Sequence, residues 1–290
     1  MRRLLLGVAV LTSLATAGSR SALAAPPPPI WTWTGFYVGA NVGYSWGNSD
    51  STLTLSNAAT GAVLNSANSS FDLNGIIGGG QLGYNWQRNN WVFGFEADIQ
   101  GSGQKGSANF ACPGGSLAAP PASLNSACSL GHIGDTAPFN VAALPVNSTL
   151  SQSLDWFGTV RGRLGPTITP TLFGYVTGGL AYGRVSTTDA IGGTNLVGPQ
   201  NTNGVAVVPV GAALSSSTTK FGWTLGVGLE GVITGNWTGK VEYLYVDLGH
   251  VSGSFVTPVV SPSGALVVSS YTSHITDNIL RVGINYQFRP

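Results

Sequence analysis

Three histidines are the first residues to weigh for chemistry. His132, His250 and His274 each have an aspartate three residues away: Asp135, Asp247 and Asp277. A His–Asp pair beside a serine can carry acyl transfer, because the carboxylate orients the imidazole and the imidazole activates the hydroxyl. Serines are plentiful near all three, yet the chain has no G-x-S-x-G elbow, phosphate loop or cofactor fingerprint. The histidines lie in or beside Gly-, Ser- and Asn-rich stretches. They read as solvated loop residues, and the expectation is a chain with no catalytic residues, no cofactor and no bound metal. Cys112 and Cys128 share one Gly/Pro/Ser-rich segment. In an exported chain they read as a disulfide closing a loop, with two free thiols as the alternative. Together with His132 they fall short of a zinc site.

The remaining ionisable residues are few and unevenly placed. Glu96, Asp98, Asp155, Arg161, Arg163, Glu230, Lys240, Glu242 and Arg281 all fall, by strand parity, on the polar, glycine-rich face of alternating segments. Arg184 and Asp247 break that rule. Mixed charges confined to one face suit a narrow polar lumen, where opposite charges pair to offset their desolvation.

Eight alternating segments carry these residues: Gly35–Trp46, Phe71–Trp86, Trp91–Gln100, Ser153–Gly165, Leu172–Val185, Phe221–Ile233, Trp237–Leu248 and Ile279–Phe288. In the last, Leu280, Val282, Ile284, Tyr286 and Phe288 share one face, and Arg281, Gly283, Asn285 and Gln287 the other. Period two is the signature of strands, and no helical period competes with it. Tight connections at Arg88–Asn90, Pro166–Pro170 and Thr234–Asn236 alternate with long ones at about 47–70, 101–152, 186–219 and 249–273. Short turns on one rim and long loops on the other describe a barrel in an outer membrane. The fold expected is therefore all-β: an eight-stranded antiparallel up-and-down transmembrane β-barrel with four long extracellular loops and short periplasmic turns. Aromatics near the strand ends, among them Phe36, Trp46, Trp86, Trp91 and Trp237, would form interfacial belts.

Composition and the N-terminus agree with export to that location. Charged residues make up 8% of the chain, against about 25% in an ordinary soluble domain. Arg2 and Arg3, the apolar run Leu4–Leu14 and Ser21-Ala-Leu-Ala24 form a secretory signal peptide over residues 1–24. Residues 25–33 follow as a Pro-rich periplasmic tether, and 34–290 form the barrel. Removing the signal takes three of the twelve basic residues. Nine then remain against eleven acidic ones, a formal charge of −2 that offers nothing to nucleic acid.

Four motifs also resemble a known family. Trp33-Thr-Gly-Phe-Tyr-Val-Gly-Ala-Asn-Val-Gly-Tyr-Ser-Trp-Gly47, Asp155-Trp-Phe-Gly-Thr-Val-Arg-Gly-Arg-Leu-Gly165, Gly174-Tyr-Val-Thr-Gly-Gly-Leu-Ala-Tyr-Gly183 and Trp237-Thr-Gly-Lys-Val-Glu-Tyr-Leu-Tyr245 are similar to strands of small alphaproteobacterial outer-membrane proteins. Those proteins are related to the 25- and 31-kilodalton surface antigens. The resemblance implies an abundant surface protein, often labelled porin family. It also implies that Tyr286 and Phe288 act as the signal read by the barrel-insertion machinery, although Arg289 and Pro290 follow where the family usually ends on the aromatic.

Geometry argues against a wide pore, since eight strands enclose only enough space for side chains. The expected role is structural or narrowly porin-like, with a lumen largely filled by charged side chains. The alternative is a protein for adhesion or for binding haem or another ligand through the long loops, with a host or cell-surface ligand. Membrane lipid and lipopolysaccharide are the expected surroundings; Arg184 could meet a lipid phosphate or simply snorkel.

Overall fold

The computed structural model describes residues 31–112, 146–197, 206–260 and 266–289. The signal peptide, Cys128, the His132–Asp135 pair and most of the Pro-rich tether lie outside the described residues. Eight strands follow one another: β1 Gly35–Asn57, β2 Val63–Arg88, β3 Trp91–Cys112, β4 Val146–Thr169, β5 Leu172–Val197, β6 Ala206–Thr234, β7 Trp237–Val260 and β8 Leu266–Phe288. Each pairs antiparallel with its neighbour, and β8 returns to β1 with Phe36 opposite Phe288, closing the barrel. Closure leaves no open sheet edge within the lipid band, which lipid requires of any sheet. The short turns fall at Asn89–Asn90, Pro170–Thr171 and Gly235–Asn236. Asn89 and Gly235 open two of them in the left-handed region, where Asn and Gly are tolerated best.

The apolar face points outward. Phe36, Val38, Val42, Tyr44 and Trp46 on β1 are exposed, as are Leu280, Val282, Ile284 and Phe288 on β8. From Phe36 to Trp46 the band runs about 33 Å along the strand, or about 25 Å across a membrane at the usual tilt of about 40°. Beyond Trp46 the parity holds while the chemistry inverts. The outward positions of β1 become Asn48, Asp50, Thr52, Thr54 and Ser56, and Leu53 and Leu55 now point inward. β8 does the same, with Leu280 giving way to Asn278, Thr276, His274 and Thr272 on the outer face and with Ile275 and Tyr271 buried within. One continuous strand thus meets lipid over half its length and water over the other half.

Among the described residues, the stretches read from sequence as long loops are therefore largely strand. Their Ser/Thr/Asn alternation faces water outside and packs apolar residues inside, so it lacks the lipid-facing pattern that marked the eight segments. Two of the eight seams stop early: β2–β3 pairing ends at Asn74–Lys105, and β6–β7 pairing ends at Trp223–Asp247. The other six continue toward the strand tips. Above the membrane the wall consequently parts into two four-stranded sheets, β7-β8-β1-β2 and β3-β4-β5-β6. Leu53, Phe71, Leu73, Val251, Tyr271 and Ile275 from the first share one apolar core with Ala108, Leu150, Leu154 and Val185 from the second. Such a core is what two facing sheets need for stability.

Candidate functional site

At its centre the barrel lumen holds a cluster of eight charged side chains of both signs that touch one another. On β4, Arg161 reaches Glu96 at 2.5 Å and Asp98 at 3.0 Å on β3, and Glu242 at 3.0 Å on β7. Two residues along, Arg163 bridges Glu230 at 2.5 Å and Glu96 at 3.2 Å. Across the lumen, β8 supplies Arg281, which meets Glu242 at 2.6 Å and Asp98 at 2.8 Å. Lys240 donates to Glu96 at 2.8 Å. Strand parity places all eight inward, and the inward glycines between them leave the room that these long chains fill.

Four cations, Arg161, Arg163, Lys240 and Arg281, stand against four carboxylates, Glu96, Asp98, Glu230 and Glu242. The charges cancel, and their side chains are at most 2% exposed. Desolvating an ion costs several kcal/mol, so such a set persists only when pairing and hydrogen bonds replace the lost water. Neutral groups supply part of the replacement, while Asp98 Oδ1, Arg163 Nε and Arg281 Nη1 are left without a hydrogen-bond partner. Tyr37 donates to Glu96 at 2.8 Å, Tyr175 to Glu242 at 3.0 Å, Thr238 to Glu230 at 2.6 Å and Asn285 to Glu230 at 2.8 Å. Arg163 also lies 4.0 Å from the centre of the Tyr175 ring, a cation–π contact. The inward parity of Tyr37 was legible in sequence; its role as a charge partner was not.

Asp155 is a correction to the expected network. A β-bulge between Leu154 and Trp156 shifts the parity of β4, so Leu154 turns inward and Asp155 outward. There its carboxylate is 41% exposed and sits 3.8 Å from Arg184 on the outer wall. The shift removes one acid from the lumen and leaves the four-to-four balance.

The charged layer is capped on both sides. At the periplasmic end, Trp31 and Trp33, which close the expected tether, are buried against Val92, Phe173 and Tyr175. The Trp33 ring is 4.5 Å from Phe173, and its backbone N–H donates to Gln87. On the extracellular side the inward residues mix apolar side chains, among them Ile77, Phe157, Ala181, Leu244, Val246 and Ile279, with buried polar ones. Asp277 accepts from Ser45 and from Gln104, and Gln152 accepts from Ser49 and donates to Ser273.

The histidine candidates lie elsewhere. His274 and His250 stack across β8 and β7 on the outer face with ring centres 4.7 Å apart, and His274 Nε2 is 3.1 Å from Asp247 Oδ1. Asp277 points to the opposite side of the wall, so it is no partner to His274. Among the described residues, no group of three or more His, Cys, Asp or Glu could hold a metal. Cys112 ends β3, but its expected partner lies outside the described residues. Tyr286 and Phe288 pack edge-on at 5.1 Å, with Trp237 against Tyr286, at the periplasmic edge of the lipid-facing band.

A closed eight-stranded barrel with an apolar exterior and a charged, occupied interior defines an outer-membrane β-barrel. The chain belongs to the outer membrane protein beta-barrel domain family, whose family model matches residues 12–288. It is 33% identical to the 31 kDa outer-membrane immunogenic protein of Brucella melitensis, over 92% of this chain and 89% of that one. It is 26% identical to the 22 kDa outer membrane protein of Rhizobium leguminosarum, over 91% and 82% of the two chains. With the 25 kDa outer-membrane immunogenic protein of Brucella canis the identity is 22%, over 98% and 96%. The protein is thus an outer-membrane surface protein of the Gram-negative type.

Proposed function

We propose that this protein is a non-catalytic, non-conducting structural component of the outer membrane, with a lumen closed by its own side chains. The neutral network of four cations and four carboxylates carries the reading. Each member is ion-paired and buried, with Trp31, Trp33 and Phe173 packed on its periplasmic side and the apolar core of the extracellular half above it. An open porin would instead need a wider barrel or a lumen lined by solvated charges. The outward apolar band supports partnership with membrane lipid and lipopolysaccharide. Tyr286 and Phe288, facing lipid at the last rungs of β8, suit the proposed signal to the insertion machinery.

Swelling of liposomes loaded with the refolded protein tests the reading. Vesicles in isotonic arabinose should swell no faster than protein-free ones, and rapid swelling would refute a closed lumen.

A second reading rests on the extracellular sheets. They carry the chain well beyond the lipid band and present polar outer faces, a platform on which adhesion or ligand binding can act. Two relatives are named immunogenic, which agrees with display at the surface. Binding of host-cell extracts to whole cells, lost on replacing the β5–β6 tip, would support it.

A further inference from the structure

The outer wall carries two concavities that overlap on β3, β4 and β5; Arg184 stands between them and Lys105 lines the upper one. The lower one, about 810 Å³, lies in the lipid band and reaches from Trp86 on β2 to Tyr245 on β7. Its floor is bare backbone at Gly162 and Gly178, which face each other across β4 and β5, and its walls include Phe95, Leu164, Val176 and Leu225. The upper one, about 470 Å³, lies beyond the band and is lined by Lys105 and by the hydroxyls of Ser107, Ser151, Ser153, Ser186 and Thr188. Six residues along β5 from Gly178, about 20 Å, stands Arg184, half exposed beside the aromatic pair Trp156 and Tyr182.

The order along the wall is an acyl-sized apolar groove, an aromatic rim, cationic side chains and a hydroxyl-lined hollow. A lipid whose acyl chains lead to a phosphorylated sugar head has the same order. We infer that this strip of β3–β5 is a binding site for a phosphorylated, sugar-headed glycolipid of the outer leaflet. Acyl chain fills the groove, where the bilayer already supplies it. Arg184 and Lys105 meet the phosphate as charge-assisted donors, and the serine and threonine hydroxyls bond the sugar. Two acids face this strip. Asp155 accepts from Ser153 at 3.0 Å and from Ser186 at 2.6 Å and lies beside Arg184, and Asp72 is exposed on β2 beside the stretch of β3 that carries Lys105. The inference needs the outer-membrane location but not the closed lumen. Every residue named faces outward, so bilayer conductance is unaffected by its failure.

Native mass spectrometry of the refolded full-length barrel in detergent tests the site. The probe is a hexa-acylated, bis-phosphorylated glucosamine disaccharide. Phosphatidylglycerol and the dephosphorylated disaccharide lipid serve as controls. The phosphorylated glycolipid should be retained about tenfold more than either control, with the double variant Lys105→Gln/Arg184→Gln losing that preference and Asp155→Asn strengthening it. Gly162→Leu should displace the acyl chain at little cost to the fold, since a Cβ there meets only the Gly178 carbonyl oxygen, at 3.9 Å. If Gly162→Leu fails to fold, the exposed Lys105 and Arg184 still decide the matter. Equal retention of all three lipids, or full retention by the folded charge variant, would overturn the site.

Discussion

Glu242→Gln isolates the charge balance of the lumen from its packing. The substitution keeps the volume and one acceptor oxygen but removes one of four negative charges. Glu242 accepts from Arg161 at 3.0 Å, from Arg281 at 2.8 Å through Nε and from the Tyr175 hydroxyl at 3.0 Å, all without access to water. Its loss leaves a net positive charge buried among Arg161, Arg281 and Lys240. Removing one partner of a buried pair costs about 3–5 kcal/mol. Asp155→Asn, at the half-exposed pair with Arg184, should cost less than about 1 kcal/mol. Adding Arg281→Gln to Glu242→Gln restores neutrality, so the double variant should be more stable than the sum of the single losses by about 1–3 kcal/mol. Equilibrium urea unfolding in phosphatidylcholine vesicles, followed by tryptophan fluorescence, measures the wild type and the four variants. A Glu242→Gln loss no larger than that of Asp155→Asn, or strict additivity with Arg281→Gln, would refute the reasoning.

The inversion of chemistry along β1 makes a second prediction. Val42→Arg, mid-band, should cost about 2–4 kcal/mol in vesicle unfolding, while Thr54→Arg on the same face above Trp46 should cost at most about 1 kcal/mol. Equal costs would misplace the membrane boundary. At the periplasmic mouth, Trp33→Ala should lose about 3–5 kcal/mol by emptying a fully buried aromatic site, read from the shift in urea midpoint. Gly79→Ala should destabilise by about 1–3 kcal/mol or more in the same assay. Its new Cβ would collide with the Ile99 carbonyl oxygen, which the chain passes at a distance only glycine permits.

The membrane half of the fold was legible in the sequence because one face had to satisfy lipid. Phe36 to Trp46 and Leu280 to Phe288 show uninterrupted apolar alternation, and eight of the nine charges that parity assigns to the lumen are buried inside the barrel. Asp155 was misplaced because a bulge adds one residue without leaving any mark in the hydropathy pattern. The extracellular half was hidden for a different reason. Leu53, Leu55 and Val251 alternate with Ser, Thr, Asn and Gly, so each segment reads as a polar loop until a facing sheet makes its inward residues a core. Which cation meets which carboxylate was also out of reach. Arg161 and Glu242 lie 81 residues apart in the chain, and only closure of the barrel brings them together.

Single-channel recording of the refolded protein in planar bilayers tests the central claim most directly. The paired lumen predicts no steps above the lipid baseline for the wild type, while Arg161→Ala combined with Glu242→Ala should leak measurably. Stable nanosiemens-scale steps from the wild-type barrel would contradict the account.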